Sequence, residues 1–217
     1  SPRLPGVQRW TLVDHDAELL AVAAQRADTV HVSVDLRRLD LAREFSASRG
    51  ALIFPSGALV TASALLDLVS RDWIDALAER CHAADAAVHF ALSYDGRTVC
   101  HPVDPLDASM LERVNRHQRG DKGFGPALGP DAAQYCTDAF LRAGYSMRRA
   151  TSDWHIDSTD AALQAALIDG WADAATEGAE APEVSDIEVW RARRLALVAA
   201  GQSRLIVGHE DLVGWRR

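Results

Sequence analysis

The 217-residue sequence predicts an α/β fold built on a mostly parallel sheet. Two observations carry that expectation. Short apolar runs alternate with stretches of helical periodicity as far as residue 94, the rhythm of strand–helix–strand units. Within that rhythm AVHFALSY, Ala87 to Tyr94, is nearly continuous in apolar residues, as a strand covered on both faces of a parallel sheet would be. The length suits one domain over 1–217 with a substantial core.

The elements follow in order. WTLVD, Trp10 to Asp14, is a short apolar run stopped by an acid. Ala17 to Arg26 then carries Leu19, Leu20, Ala23 and Ala24 at helical spacing, with Asp16 placed as its cap. Val30 to Asp35 and Ala58 to Ser63 are the next strands, and Arg37 to Gly57 forms a helix or loop between them. Ser70 opens a helix that buries Trp73, Ile74, Leu77, Ala78 and Cys81. Beyond Tyr94 the rhythm changes. About 35 residues, Asp95 to Gly129, are rich in Pro, Gly and charge around one short helical pattern at Ala108 to His117, and a connection of that length is expected to be a lid or substrate loop. Pro130 opens a helix with a stripe of Ala133, Cys136, Ala139 and Phe140, ended by Gly144. Tyr145 to His155 reads as a strand, followed by helices at Thr159 to Ala175 and Asp186 to Ala200, the second opened by a capping box of Ser185 and Glu188. Glu177 to Glu183 is the loop between those helices, and Ser203 to Glu210 is the last strand.

Composition excludes several function classes. Hydrophobic residues make up 48% of the chain but charges interrupt them everywhere, so no run approaches the roughly 20 residues of a membrane span. A formal charge of -8 gives no general attraction to nucleic acid, and the cluster Arg191, Arg193, Arg194 shares its helix with Glu188. Cys81, Cys100 and Cys136 are too scattered for a disulfide scaffold or a metal site. No HxH, HExxH or Cys/His pattern gathers metal ligands, and His82, His101, His155 and His209 are isolated. Trp154, Trp171 and Trp190 read as core residues rather than base-stacking platforms. The cysteine usage fits a reducing cytoplasm, and no secretion signal is legible.

In an open parallel sheet, ligands bind beyond the carboxyl ends of the strands. Asp14 and Asp35 stand at two such ends, where an acid accepts the hydroxyl hydrogens of a ribose or simply caps the next turn. Asp67 follows the Ala58–Ser63 strand and is either a base or a cap for the Ser70 helix. Tyr94 touches a ligand or covers the core. Asn115, Arg116, His117, Arg119 and Lys122 gather hydrogen-bonding and basic groups before Gly123-Phe124-Gly125. Arg116, Arg119 and Lys122 suit a carboxylate or phosphate on a substrate, or are ordinary surface charge. His117, with an unperturbed pKa of about 6.5, suits proton transfer or ends a solvated helix.

WTLVDHDAELLAVA resembles the second strand and following helix of class I S-adenosylmethionine-dependent methyltransferases. LVTASALLDLVSRDWIDAL is similar to the fourth strand and its loop in that family, and ALSYDGR with NRHQRGDKGFGPALGPDA resembles uncharacterised bacterial members. The resemblance runs from Trp10 to about His209. It implies a Rossmann-like sheet with helices on both faces, an antiparallel C-terminal strand pair, and helices at 159–200 inserted between those two strands. It also implies S-adenosylmethionine as cofactor, with Asp14 on the ribose and His15 beside it, Asp35 and Leu36 at the adenine, and Ala62, Ser63 and Ala64 along the methionine part. Asp67, Tyr94 and His117 would then serve catalysis, and Asn115, Arg116, Arg119 and Lys122 would bind a small-molecule acceptor.

One feature departs from the family. No glycine-rich loop precedes Trp10, and Gly120, Gly123, Gly125 and Gly129 are spaced differently and follow a helical pattern. The first strand, central in this fold, is therefore missing from the sequence. Together with a first residue that is Ser1, this leads to the expectation that the natural protein has a further amino-terminal segment. Two other readings stay open: a non-catalytic relative that serves binding or assembly, and a nicotinamide-dependent Rossmann enzyme, which shares the acid after the second strand.

Overall fold

A computed structural model describes residues 6–26, 32–46 and 54–216. The chain resolves into two compact units, residues 1–53 and 54–217.

In the first unit, β1 (Gln8–Asp14), α1 (Ala17–Arg26), β2 (Val32–Arg38) and α2 (Leu41–Ser46) make one strand–helix–strand turn and a short return helix. β1 and β2 are parallel, in register from Gln8↔Val32 to Asp14↔Arg38. Asp16 caps α1 as expected, its carboxylate accepting from the N–H groups of Glu18 (2.7 Å) and Leu19 (3.3 Å). Leu20 is buried whereas Leu19 is exposed, and Phe45 on α2 is the other buried apolar side chain described in this unit. Val30 and His31 of the expected second strand, and the 47–53 part of the expected helix or loop, lie outside the described residues.

The second unit holds β3 (Leu59–Ser63), α3 (Arg71–Ala83), β4 (Ala87–His101), α4 (Asp107–Gln118), α5 (Ala132–Arg142), β5 (Tyr145–Thr151), β6 (Trp154–Ile156), α6 (Ala161–Thr176), α7 (Ala181–Ala199) and β7 (Arg204–Arg216). The strand order is β3-β4-β7-β5, with β6 also on β7. β3 and β4 are parallel, while β7 is antiparallel to β4, β5 and β6. The sheet is thus mixed rather than mostly parallel. The chain returns through α6 and α7 and slots its last strand between β4 and β5, and this reverses the direction of every pairing β7 makes.

Helices α3 and α5 form where the apolar spacing placed them and bury the expected stripes, Trp73, Ile74, Leu77, Ala78 and Cys81 on one and Ala133, Cys136, Ala139 and Phe140 on the other. Ser70 caps α3, its hydroxyl accepting from Trp73 N–H at 3.4 Å. Phe140 meets the rings of Phe90 and Tyr145 edge-on at 5.7 and 5.0 Å, and the Tyr145 hydroxyl donates to Ala86 O at 2.8 Å. A second cluster joins Met110, Ile168, Ala172, Ile187 and Trp190 from α4, α6 and α7. Arg194, fully buried, donates to Asp107 and to Pro102 O, and Asp107 also accepts from Trp190 Nε1 at 2.8 Å.

Three boundaries differ from the sequence expectation. β4 continues past Tyr94 to His101, with register shifts between Phe90/Ser93 and Tyr94/Thr98. Leu92 at the first shift takes a positive φ of 55°, and its freed N–H donates to Asp211 at 2.9 Å. The expected Tyr145–His155 strand divides into β5 and β6, because Ser152 turns its N–H to His209 O (2.9 Å) and its hydroxyl to Asp211 (2.7 Å). The capping box on α7 belongs to Glu180 and Glu183, not Ser185 and Glu188. Pro182 fits the first turn without needing an N–H, so the helix starts earlier and absorbs part of the expected 177–183 loop.

Candidate functional site

Asp14 ends β1 with a carboxylate 38% exposed. Its Oδ1 accepts from Asp16 N–H at 2.9 Å and lies 3.3 Å from His15 Nδ1. The capping role open in the sequence is therefore filled by one oxygen, and Oδ2 makes no hydrogen bond among the described residues. Asp35 is exposed, with Oδ2 held by Arg37 Nε at 2.8 Å, and Leu36 beside it is exposed as well.

In the second unit, Ala62, Ser63 and Ala64 end β3. Ser63 is exposed, and Ala64 turns at φ 50° while its N–H donates to Ala91 O at 3.0 Å. Asp67 follows in a single 3-10 turn, Leu66–Leu68, and is buried. It is not the α3 cap, since Ser70 fills that position. Burial pushes the Asp67 carboxyl up from its ordinary value, against hydrogen bonds from its own N–H and that of Tyr94 and the nearby His209, and its Oδ1 has no partner.

Asp67 is one member of a buried polar cluster. The Tyr94 hydroxyl donates to Asn115 Oδ1 at 3.0 Å, and Asn115 Nδ2 donates to Gly96 O at 3.0 Å. Burial likewise raises the Tyr94 phenol. Gly96 is required here: at φ 87° a Cβ would stand 2.9 Å from the Cβ of Pro130. His209, from β7, packs its ring against Tyr94 at 6.3 Å and Trp154 at 4.8 Å. Its Nδ1 lies 3.0 Å from Val207 O; a carbonyl only accepts, so Nδ1 carries the hydrogen and Nε2 presents its lone pair when the ring is neutral. Sequence reasoning left His209 aside as isolated, because its neighbours come from distant segments. Trp154, expected in the core, is 37% exposed as it covers that ring.

The other candidates face elsewhere. α4 turns Asn115 toward Tyr94, whereas Arg116 and His117 line a cleft of about 210 Å³ with Arg113, Gly120, Asp121, Lys122, Ala175 and Glu177. His117 Nε2 lies 2.8 Å from Glu177 Oε2, so Nε2 donates to the carboxylate, leaving Nδ1 to accept from the Lys122 ammonium at 3.3 Å. Arg119 points away, to Asp131 at 3.2 Å and Asn115 O at 3.1 Å. Asp121 Oδ1 accepts from the N–H groups of Gly123 (2.7 Å) and Gly125 (3.1 Å), which fixes the loop. Sequence reasoning missed Arg113 and Glu177. Arg113 was within reach, since i, i+3 and i+4 put it on one helix face with Arg116 and His117; Glu177 had no local signal.

Among the described residues no group of His, Cys, Asp and Glu is arranged to hold a metal ion, and no helix is long and apolar enough to cross a membrane. No family model and no curated protein matches the sequence. Solved structures do align with the chain at low similarity. The cyclopropane synthase MmaA2 from Mycobacterium tuberculosis aligns with a TM-score of 0.45 and 10% identity, covering 98% of this chain and 79% of that one. The mycolic acid cyclopropane synthase CmaA1, complexed with SAH and CTAB, gives 0.46 and 9% over the same shares. A sarcosine dimethylglycine methyltransferase from Galdieria sulphuraria, described as putative, gives 0.40 and 8% over 95% and 69%. Likenesses this distant fix neither a family nor a substrate.

Proposed function

We propose that the protein transfers a methyl group from S-adenosylmethionine to a small-molecule acceptor. The observation that supports this over a nicotinamide enzyme is the strand order β3-β4-β7-β5, with β7 antiparallel to both neighbours. That is the terminal strand pattern implied by the sequence resemblance, and a doubly wound nicotinamide-binding sheet would continue parallel.

The residues fit the cofactor at its ribose. Asp14 keeps one carboxylate oxygen unengaged at the end of β1, where it accepts from ribose hydroxyls, with His15 beside it. Asp35 keeps Oδ1 for the adenine amino group, with Leu36 against the ring. When bound, the cofactor supplies an electrophilic methyl on its sulfonium. The chain then has to align the acceptor and, where the nucleophile carries a proton, remove it. Asp67, whose burial favours holding a proton, and Tyr94 are the groups we assign to that task, with Asn115 holding Tyr94 in place; His117, whose Nε2 donates to Glu177 and whose Nδ1 accepts from Lys122, faces the other cleft.

Calorimetry with S-adenosylhomocysteine and with NAD tests the reading. S-adenosylhomocysteine is expected to bind, and Asp14→Ala to weaken it by about 1.5 to 3 kcal/mol, the worth of a charged hydrogen bond. Tight binding of NAD alone would overturn the proposal. Binding of neither would favour a non-catalytic role in binding or assembly.

A further inference from the structure

We infer that the cleft between α4, the loop after it and the end of α6 binds a small molecule through a carboxylate or phosphate group, with Lys122 and Arg116 as its ligands. Lys122 is the single lysine in a chain with 23 basic Lys and Arg residues. Its ammonium faces the His117 ring, 3.3 Å from Nδ1 and 3.2 Å from Nε2, and no carboxylate lies within ion-pair distance among the described residues. The other cations differ. Arg113 is matched by a two-pronged pair to Glu183. Among the described residues Arg116 pairs with Glu112, one turn back on the same helix at 3.2 Å, with both side chains about 70% exposed, and such a pair holds its partner weakly.

Each acid in the cleft has one carboxylate oxygen engaged. Glu177 accepts from His117, and Asp121 Oδ1 is held by two backbone N–H groups of its own loop. Two cations therefore lack strong partners beside a cleft of about 210 Å³, and an oxyanion bridging them gains charge-assisted hydrogen bonds from both. His117 helps set the shape of the site: its Nε2–H is anchored on Glu177 and its ring faces the Lys122 ammonium. That the bound molecule is the methyl acceptor rests on the methyl-transfer reading; the anion site does not.

Titration of the folded protein with inorganic phosphate and, separately, with acetate tests the site, read from amide and His117 ring resonances. Saturable shifts confined to residues 113–123 and 175–177 are expected, and the stronger of the two probes tells phosphate from carboxylate. Lys122→Gln should weaken binding about tenfold and Arg116→Gln several-fold. Arg148→Gln, the same charge change at an exposed position on β5, should leave it within about twofold, which separates a site from a general effect of net charge. No saturable response to either probe, or equal weakening by Arg148→Gln and Lys122→Gln, overturns the inference. Binding of S-adenosylhomocysteine is measured in the same samples. Cofactor binding without anion binding sinks this inference alone, and anion binding without cofactor binding sinks the methyl-transfer reading alone.

Discussion

The two units begin alike and are held together differently. Each opens with an apolar strand, a helix and a second strand parallel to the first. Among the described residues of 6–46 that motif has two strands, with Leu20 and Phe45 as the buried apolar side chains. In residues 54–216 it is extended by β7, which pairs along its length with β4, β5 and β6. Strand–helix–strand alternation sets the type of each element but not how much surface the elements bury. An isolated pair of strands buries little surface, and stability grows as further strands or helices pack on a sheet.

Truncations of core side chains should expose that difference most. Phe140→Ala removes a ring packed against Phe90 and Tyr145 and is expected to cost about 3–5 kcal/mol in urea unfolding of the second unit. Leu20→Ala should act instead on hydrogen exchange of the β1 and β2 amides. If Phe140→Ala costs under about 1 kcal/mol, the second unit is not the better packed of the two.

Arg194→Ala comes next, at about 3 kcal/mol, because it removes the buried cation that pairs with Asp107 and leaves that carboxylate only the neutral donors Trp190 Nε1–H and Asp104 N–H. Arg194→Met should cost less, since it restores apolar volume beside Trp190. A larger loss for Met than for Ala would contradict the view that the stranded charge, not the volume, sets the cost.

Helix caps give a matched pair at about 1 kcal/mol each. Ser70→Ala should lower the unfolding midpoint of the second unit, and Asp16→Ala should speed amide exchange within α1. Equal and negligible effects would show that neither cap holds its helix in solution.

These elements also show what the sequence could reveal. The stripes of α3 and α5 were legible because helical periodicity is local, and so were both caps. The mixed sheet was only half legible: the antiparallel terminal pair was expected, but the bulges in β4 depend on Leu92 reaching Asp211 across the sheet. The candidate sites divide in the same way. Arg116, His117 and Lys122 lie within one turn and one loop of each other. Asp67, Tyr94 and His209 meet only after β3, β4 and β7 assemble, and the shift of the α7 capping box to Glu180 shows that one proline outweighs a better motif placed later.

The smallest effect separates two acids with different expected roles, Asp14 at a strand end and Asp67 in the loop after the Ala58–Ser63 strand. The Asp14 side chain is 38% exposed, whereas Asp67 is buried and its Oδ1 has no hydrogen-bond partner among the described residues. Burial raises the folded-state pKa of Asp67 above 3.8, so the folded protein holds that proton more tightly than the unfolded chain does. The resulting stabilisation is fully present below the unfolded value and is lost as pH rises through the folded one. Above the folded value the ionised carboxylate is therefore a net cost, opposed by the N–H groups of Asp67 and Tyr94 and by His209. Asp67→Asn keeps an oxygen for those N–H groups and removes the charge. Its melting temperature should exceed that of the natural chain near pH 7, and the gap should close as pH falls toward the unfolded carboxyl range. A gap that widens on acidification would mean that Asp67 is stabilised as the carboxylate, and its assignment as a group that holds a proton would fail.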